Sequence, residues 1–191
     1  MAVHLTRIYT RTGDSGETRL GDMSVTTKND LRLKAYADVD EANAHIGVAL
    51  STGDLDEDVV GLLTTVQNDL FDVGADFCTP VVENPEFPPL RIEQAYVTRL
   101  EGWCDTYNEH LPKLRSFILN AGTPGAAHLH VARTVVRRAE RSGWAAYEVH
   151  ADTMNVLALQ YLNRLSDLLF ILARHANRAA GDVLWKPGGE R

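Results

Sequence analysis

The stretch Thr10-Arg-Thr-Gly-Asp-Ser-Gly-Glu-Thr18 packs two glycines, three threonine hydroxyls and an arginine into nine residues. Glycine lets backbone amides close on an anion, and successive amides in such a turn make a nest the size of a phosphate. Thr10, Arg11, Thr12, Gly13, Asp14, Ser15, Gly16 and Thr18 are therefore candidate anion ligands, and Lys28 adds a cation in the same region. A plain glycine turn joining two extended pieces would use the same residues. No Gly-Lys-[Ser/Thr] occurs in the chain, so this is not a Walker loop.

A second cluster is Arg133, Arg137 and Arg141 at i, i+4 and i+8, with Arg138 beside them and Glu140 among them. Like charges at i,i+4 repel by roughly 0.2 to 0.5 kcal/mol a pair, so something anionic must offset the stripe. A polyphosphate would do so, and arginine suits a bidentate grip on phosphate. Acids on neighbouring helices would also serve, and Asp38, Asp40, Glu41 and Asp167 are available. The third cluster is Gln160, Asn163, Arg164 and Asp167, a polar stripe on an otherwise apolar segment. Burying such groups unpaired costs about 1 to 3 kcal/mol each, so the stripe must face a site, a partner or an internal polar network.

The elements that would carry these clusters are helical. Leu31, Ala35, Val39, Ala42, Ile46 and Ala49 recur at helical spacing, and Gly53 is placed to cap that helix near Thr52. Asp54 and Glu57 resemble a capping box for a second helix running to about Cys78. Four of the seven prolines fall between residues 79 and 90, a crossing linker. Ile92 to Tyr107 gives helix three, and Ser116 to Gly122 reads as a short extended piece. Thr123-Pro124 opens helix four, which runs to about Val149, and helix five runs from about Val156 to Ala180, closed by Gly181. Helix five is apolar on nearly all sides, which places it mid-bundle or at an interface. The expectation is an all-α, up-and-down five-helix bundle in one domain over 1–191, with a loop at 1–30, the bundle at 31–181 and a tail at 182–191.

Bulk properties narrow the function. A net charge of −7 argues against a nucleic-acid surface or an anionic membrane. Two cysteines, Cys78 and Cys104, with no metal spacing fit a reduced, cytoplasmic protein, and the polar stretch Met1 to Gly16 does not read as a signal peptide. No Glu-x-x-His pair supplies a di-metal ligand set. No nucleophile triad stands out in the sequence.

The loop Tyr9 to Thr18, the run Ala132-Arg-Thr-Val-Val-Arg-Arg-Ala-Glu-Arg141 and Tyr161-Leu-Asn-Arg-Leu-Ser-Asp167 together resemble the PduO-type ATP:cob(I)alamin adenosyltransferases. Asp38-Val-Asp-Glu-Ala-Asn43 and Ser116-Phe-Ile-Leu119 fall in order between them, and the resemblance spans nearly the whole chain. It implies a ferritin-like bundle assembled as a homotrimer with sites between subunits. The loop and Lys28 would hold ATP, while Arg137, Arg138, Glu140, Arg141 and Asn163 would complete the nucleotide and Mg²⁺ site, the metal sitting on ATP phosphates near Asn163 and Glu140. Arg133 would pair with Asp40 across the interface. Phe117 would lie under the corrin ring and keep the lower axial ligand off cobalt. The implied reaction moves the 5′-deoxyadenosyl group of ATP to cob(I)alamin and releases triphosphate, with a flavin-type reductase and an adenosylcobalamin-dependent enzyme as possible partners. Ala37, Ala42 and Asn120-Ala121 depart from the family's usual glycine, leucine and Pro-Gly. A phosphohydrolase with the same grip, or a non-catalytic ATP-sensing trimer, would share the arginine and loop features.

Overall fold

The computed structural model describes residues 8–190, so the first seven residues of the expected loop at 1–30 and the last residue of the tail lie outside the described residues. Five helices follow a small hairpin. Helix α1 spans Leu31–Thr52, α2 Glu57–Cys78, α3 Gln94–Glu109, α4 Pro124–His150 and α5 Val156–Ala176. The hairpin pairs β1 (Glu17–Arg19) with β2 (Val25–Thr27) antiparallel, with Glu17 opposite Thr27 and Arg19 opposite Val25. The sequence reading expected no strands. Three-residue strands are too short to leave an apolar alternation, so the pairing shows only in the backbone.

Local chemistry sets the helix starts. The Asp30 carboxylate accepts the Arg32 amide at 2.8 Å, Thr123 Oγ1 accepts the Ala126 amide at 3.2 Å with Pro124 in the first turn, and Asn155 accepts from Leu157 at 3.0 Å. The expected Asp54–Glu57 box does not form. Asp54 sits at φ 49° outside the helix, which begins after Asp56, and the Asp56 carboxylate is committed to His175 at 3.0 Å and Arg178 at 2.8 Å. Helix α5 stops at Ala176, four residues before the expected end. The buried Asn177 side chain there accepts the Thr123 amide at 2.9 Å and donates to the Ala121 carbonyl at 3.0 Å, fixing the turn that leads to Gly181 at φ 83°.

The central seam is α1 against α4, antiparallel over their full lengths. Asp30 meets His150 at 3.2 Å at one end, Ser142 donates to Asp38 at 2.5 Å midway, and Gly53 meets Gly125 at the other end. A Cβ on Gly125 would stand 2.5 Å from the Gly53 carbonyl oxygen, so close backbone approach, and not only helix termination, requires glycine there. Gly53 does cap α1, in the right-handed conformation at φ −85°. On the other side of α4, Gly143 admits Leu159 of α5. Helix α5 is long and apolar enough by composition to span a membrane. In this fold its apolar side chains, from Ala158 to Ala173, form the middle of the bundle core with α4 and α3.

Candidate active site

The backbone of the extended piece at Ser116 to Asn120 pairs with neither strand of the hairpin. It is stitched to the C-terminal tail: the Leu119 amide donates to the Val183 carbonyl at 2.7 Å, the Trp185 amide to the Phe117 carbonyl at 2.9 Å, and Ser116 Oγ to the Trp185 carbonyl at 3.2 Å. This holds the backbone while leaving Phe117 79% exposed, its one close ring partner among the described residues being Trp185 edge-on at 6.0 Å. Phe117 and Trp185 line a cavity of about 790 Å³ with Leu114, Arg115, Ile118, Asn120, Arg133 and Phe170.

Arg133 joins this cavity to the arginine ladder. Its guanidinium lies over the Phe170 ring at 5.9 Å and donates to Asn120 Oδ1 at 3.1 Å. Behind Phe170, ring to ring at 6.2 Å, is His130, only 1% exposed. Both His130 ring nitrogens, Arg133 Nε and Asp182 Oδ1 are buried without a hydrogen-bond partner among the described residues. Burial, reinforced by the Arg133 charge, pushes the His130 pKa down, so this imidazole is held neutral.

Along α4, Arg133, Arg137, Glu140, Arg141 and Trp144 share one stripe, as their spacing requires. Arg138 points away from it, to Asp38 at 3.4 Å and to Glu41 on α1. The acidic seam and the anion grip are therefore both present, divided by residue. Arg137 and Arg141 are exposed and make no hydrogen bond or ion pair among the described residues, while Arg138 is taken by carboxylates. Asp167 does not reach the ladder, because Arg164 on its own helix holds it at 2.9 Å and holds Glu101 at 3.1 Å. Asp40 is exposed and unpaired among the described residues, so its expected partnership with Arg133 is not made inside one protomer.

The α5 stripe is not buried. Gln160, Asn163 and Asp167 are exposed, and Asn163 Nδ2 donates to Glu140 Oε1 at 3.0 Å beside a cleft of about 280 Å³ that Gln94, Trp144, Gln160 and Arg164 also line.

The N-terminal loop forms its own concavity of about 590 Å³, lined by Thr12, Gly13, Glu17, Thr18, Arg19 and Val25. A Cβ on Gly13 would come within 3.0 Å of Lys28 Nζ, so the lysine ammonium lies directly over the glycine backbone. The hairpin is anchored where α1 starts and α2 ends: the Gly21 amide donates to the Cys78 carbonyl at 2.8 Å, and Thr26 donates to Asp30 at 2.8 Å. Asp30 in turn meets His150 at the last residue of α4. At 1.5 Å per residue Arg137 lies about 20 Å back along that helix. The loop and the ladder are thus separate within one protomer.

Residues 8–176 match the family model described as cobalamin adenosyltransferase. The chain belongs to that family. The corrinoid adenosyltransferase of Mycobacterium tuberculosis H37Rv is 65% identical over 191 residues, covering 100% of this chain and 98% of that one. The corrinoid adenosyltransferase of Bacillus subtilis is 39% identical over 178 residues, covering 92% and 89%. Among solved structures, a variant of the PduO-type ATP:corrinoid adenosyltransferase of Lactobacillus reuteri, with alanine for a phenylalanine and complexed with cobalamin and ATP, superposes with a TM-score of 0.86 at 35% identity, covering 95% of this chain and 100% of that one. A variant with lysine for an arginine, complexed with ATP, superposes at 0.83 with 35% identity, covering 94% and 100%.

Within this cobalamin adenosyltransferase bundle, residues beyond those singled out in the sequence line the two concavities. Trp185 belongs to none of the three clusters, and only its backbone pairing with Phe117 reveals its place. Arg19, whose Nη1 donates to the Met23 carbonyl at 2.9 Å, lines the loop concavity and carried no motif signal. Among the described residues no cluster of three His, Cys, Asp or Glu could cage a metal. The Glu140–Asn163 pair nonetheless offers hard oxygen donors in number suited to Mg²⁺, which takes one or two protein ligands and completes its shell with phosphate and water.

Proposed function

We propose that the cavity beside Phe117 takes the corrinoid and that the loop of one copy, with the α4 ladder of a neighbouring copy, takes ATP. The chain then forms a bond between Co(I) and the 5′ carbon of ATP while the 5′ C–O bond breaks, its electron pair leaving with triphosphate. One observation carries the assignment: Arg133 is at once a wall of the apolar cavity and the first rung of the arginine ladder, so a planar ligand and a polyphosphate would meet there.

Cobalt supplies the nucleophile, so the chain's task is to position and to stabilise charge. Arg137 and Arg141, unpaired among the described residues, would receive the negative charge growing on the departing triphosphate, with Lys28 and the amides of Gly13 to Gly16 at its other end. Charges fixed in place before reaction contribute several kcal/mol because no reorganisation is needed. Arg138 would act on the ladder through its Asp38 and Glu41 partners rather than on phosphate. Mg²⁺ on the phosphates, held from the protein side by Glu140 and Asn163, would add Lewis-acid charge compensation. Phe117 and Trp185 would exclude water and a lower axial ligand from cobalt, which favours the four-coordinate, more reducible Co(II) precursor.

The distance of the ladder from the loop end of α4, about 14 Å for Arg141 and about 20 Å for Arg137, is what supports a site shared between copies. A homotrimer pairing Arg133 with Asp40 of the next subunit would close it, in a cytoplasmic setting where a flavin-type reductase supplies Co(I) and an adenosylcobalamin-dependent enzyme takes the product. The test is to mix the protein with ATP, Mg²⁺ and chemically reduced cob(I)alamin. A light-sensitive adenosylcobalamin spectrum with stoichiometric triphosphate is expected. ADP with orthophosphate, or ATP binding with no corrinoid turnover, would overturn the reading.

A further inference from the structure

The cavity beside Phe117 holds one cation that neither the fold nor the adenosyl transfer uses. Arg115 lines its wall, is exposed, and makes no hydrogen bond or ion pair among the described residues. Its companion Arg133 is already engaged, with Asn120 and the Phe170 face. Arg115 precedes Phe117 by two positions, and both side chains line the same cavity. Among the described residues no carboxylate lines this cavity, and most of its other walls are apolar: Leu114, Ile118, Phe170 and Trp185. A free guanidinium at the edge of an apolar wall is matched to an anionic oxygen pair.

A complete cobalamin carries such an anion. Its nucleotide tail hangs below the ring through a phosphodiester, and when the lower axial base leaves cobalt that tail must be placed somewhere on the Phe117 side. We propose that Arg115 binds the phosphodiester of the corrinoid's displaced nucleotide tail, so that the chain discriminates complete corrinoids from those lacking a tail. This rests on the reading of the cavity as the corrinoid site. Holding the displaced tail would also keep its base from returning to cobalt, which makes Arg115 a specificity residue acting from the side opposite to the nucleotide.

The test compares kcat/KM for chemically reduced cobalamin and cobinamide, which lacks the tail, in the unaltered chain, Arg115→Gln and Arg115→Lys. The KM for ATP serves as the control for an intact fold. The cobalamin-to-cobinamide ratio should fall about fivefold in Arg115→Gln, through the corrinoid KM, as expected for one solvent-accessible ion pair. Arg115→Lys should retain part of it, and added salt should lower the ratio of the unaltered chain. Cobinamide phosphate, which keeps an anion without the base, should recover part of the advantage. A ratio unchanged in Arg115→Gln, or an equal fall for both corrinoids, would overturn the assignment. An unaltered chain that adenosylates neither would remove the corrinoid reading, and this assignment with it.

Discussion

The cavity at Phe117 and the concavity at Gly13 are built in opposite ways. The walls of the first come from several segments of one protomer: its backbone is stitched between two segments, its floor is packed from α4 and α5, and one arginine is seated on an aromatic face. The second is a polar concavity at one end of the bundle, with Lys28 over a glycine and Arg19 in its wall, while Arg141 and Arg137 lie about 14 and about 20 Å back along α4 from His150. A rigid, planar ligand can be recognised by a preformed wall. A flexible polyphosphate can be gripped by parts brought together on assembly.

Substitutions can break that contrast. The largest effect is expected from Arg137→Ala. Removing an unpaired, exposed arginine should cost roughly 100-fold or more in turnover by loss of charge stabilisation, with a melting temperature close to that of the unaltered chain. A comparable loss of stability would mean Arg137 serves the fold instead. Phe117→Ala should lower turnover about tenfold or more when cob(II)alamin and a reductant are supplied, and less when cob(I)alamin is supplied already reduced. Equal losses in the two assays would show that the ring binds corrinoid without controlling its coordination. The divided half-site can be tested by mixing. Lys28→Ala and Arg137→Ala chains, each inactive, should regain about a quarter of full activity after co-refolding in equal amounts, because one interface in four then joins an intact loop to an intact ladder. No recovery would place both residues in one protomer's site.

The smallest effect concerns stability against pH. The folded His130 pKa lies below the ordinary 6.5, so as pH falls the unfolded chain takes up a proton first and stability declines from about that pH downward. The carboxyls of Asp56, held down by Arg178 and His175, and of Asp58, held down by the Tyr107 hydroxyl, have pKa values below the ordinary 3.8. Their contribution is therefore lost only at lower pH still. His130→Leu should flatten the denaturant midpoint between pH 6.5 and 5 while leaving the steeper loss below pH 4. A midpoint that falls in that window as before would remove His130 as its cause.

How much of this was legible in the sequence differs between the same two regions. The periodicity of Leu31 to Ala49 and the Thr123-Pro124 start fix helices whose ends the structure moves by a few residues at most. The arginine spacing also reads correctly as one face, with Arg138 on its flank. What could not be read was which acids meet which arginines, since that depends on how α1 and α4 lie together: Asp38 and Glu41 take Arg138, while Asp40, between them in sequence, faces solvent. The hairpin escaped because three-residue strands carry no pattern. Trp185 escaped because its role comes from pairing with a segment nearly seventy residues away, which no local spacing announces. The Asp54–Glu57 pattern misled for a related reason, the chain there being turned by contacts with α5.

The indole of Trp185 stands edge-on to Phe117 at the cavity mouth. Corrins absorb in the range where indole emits, so a ring settling on that wall would drain the excited state of this tryptophan by energy transfer. If the proposed corrinoid site is right, Trp185 would serve as an optical gauge of its occupancy, and Trp185→Phe, which leaves Trp103 and Trp144 as background, would supply the blank for an unlabelled titration.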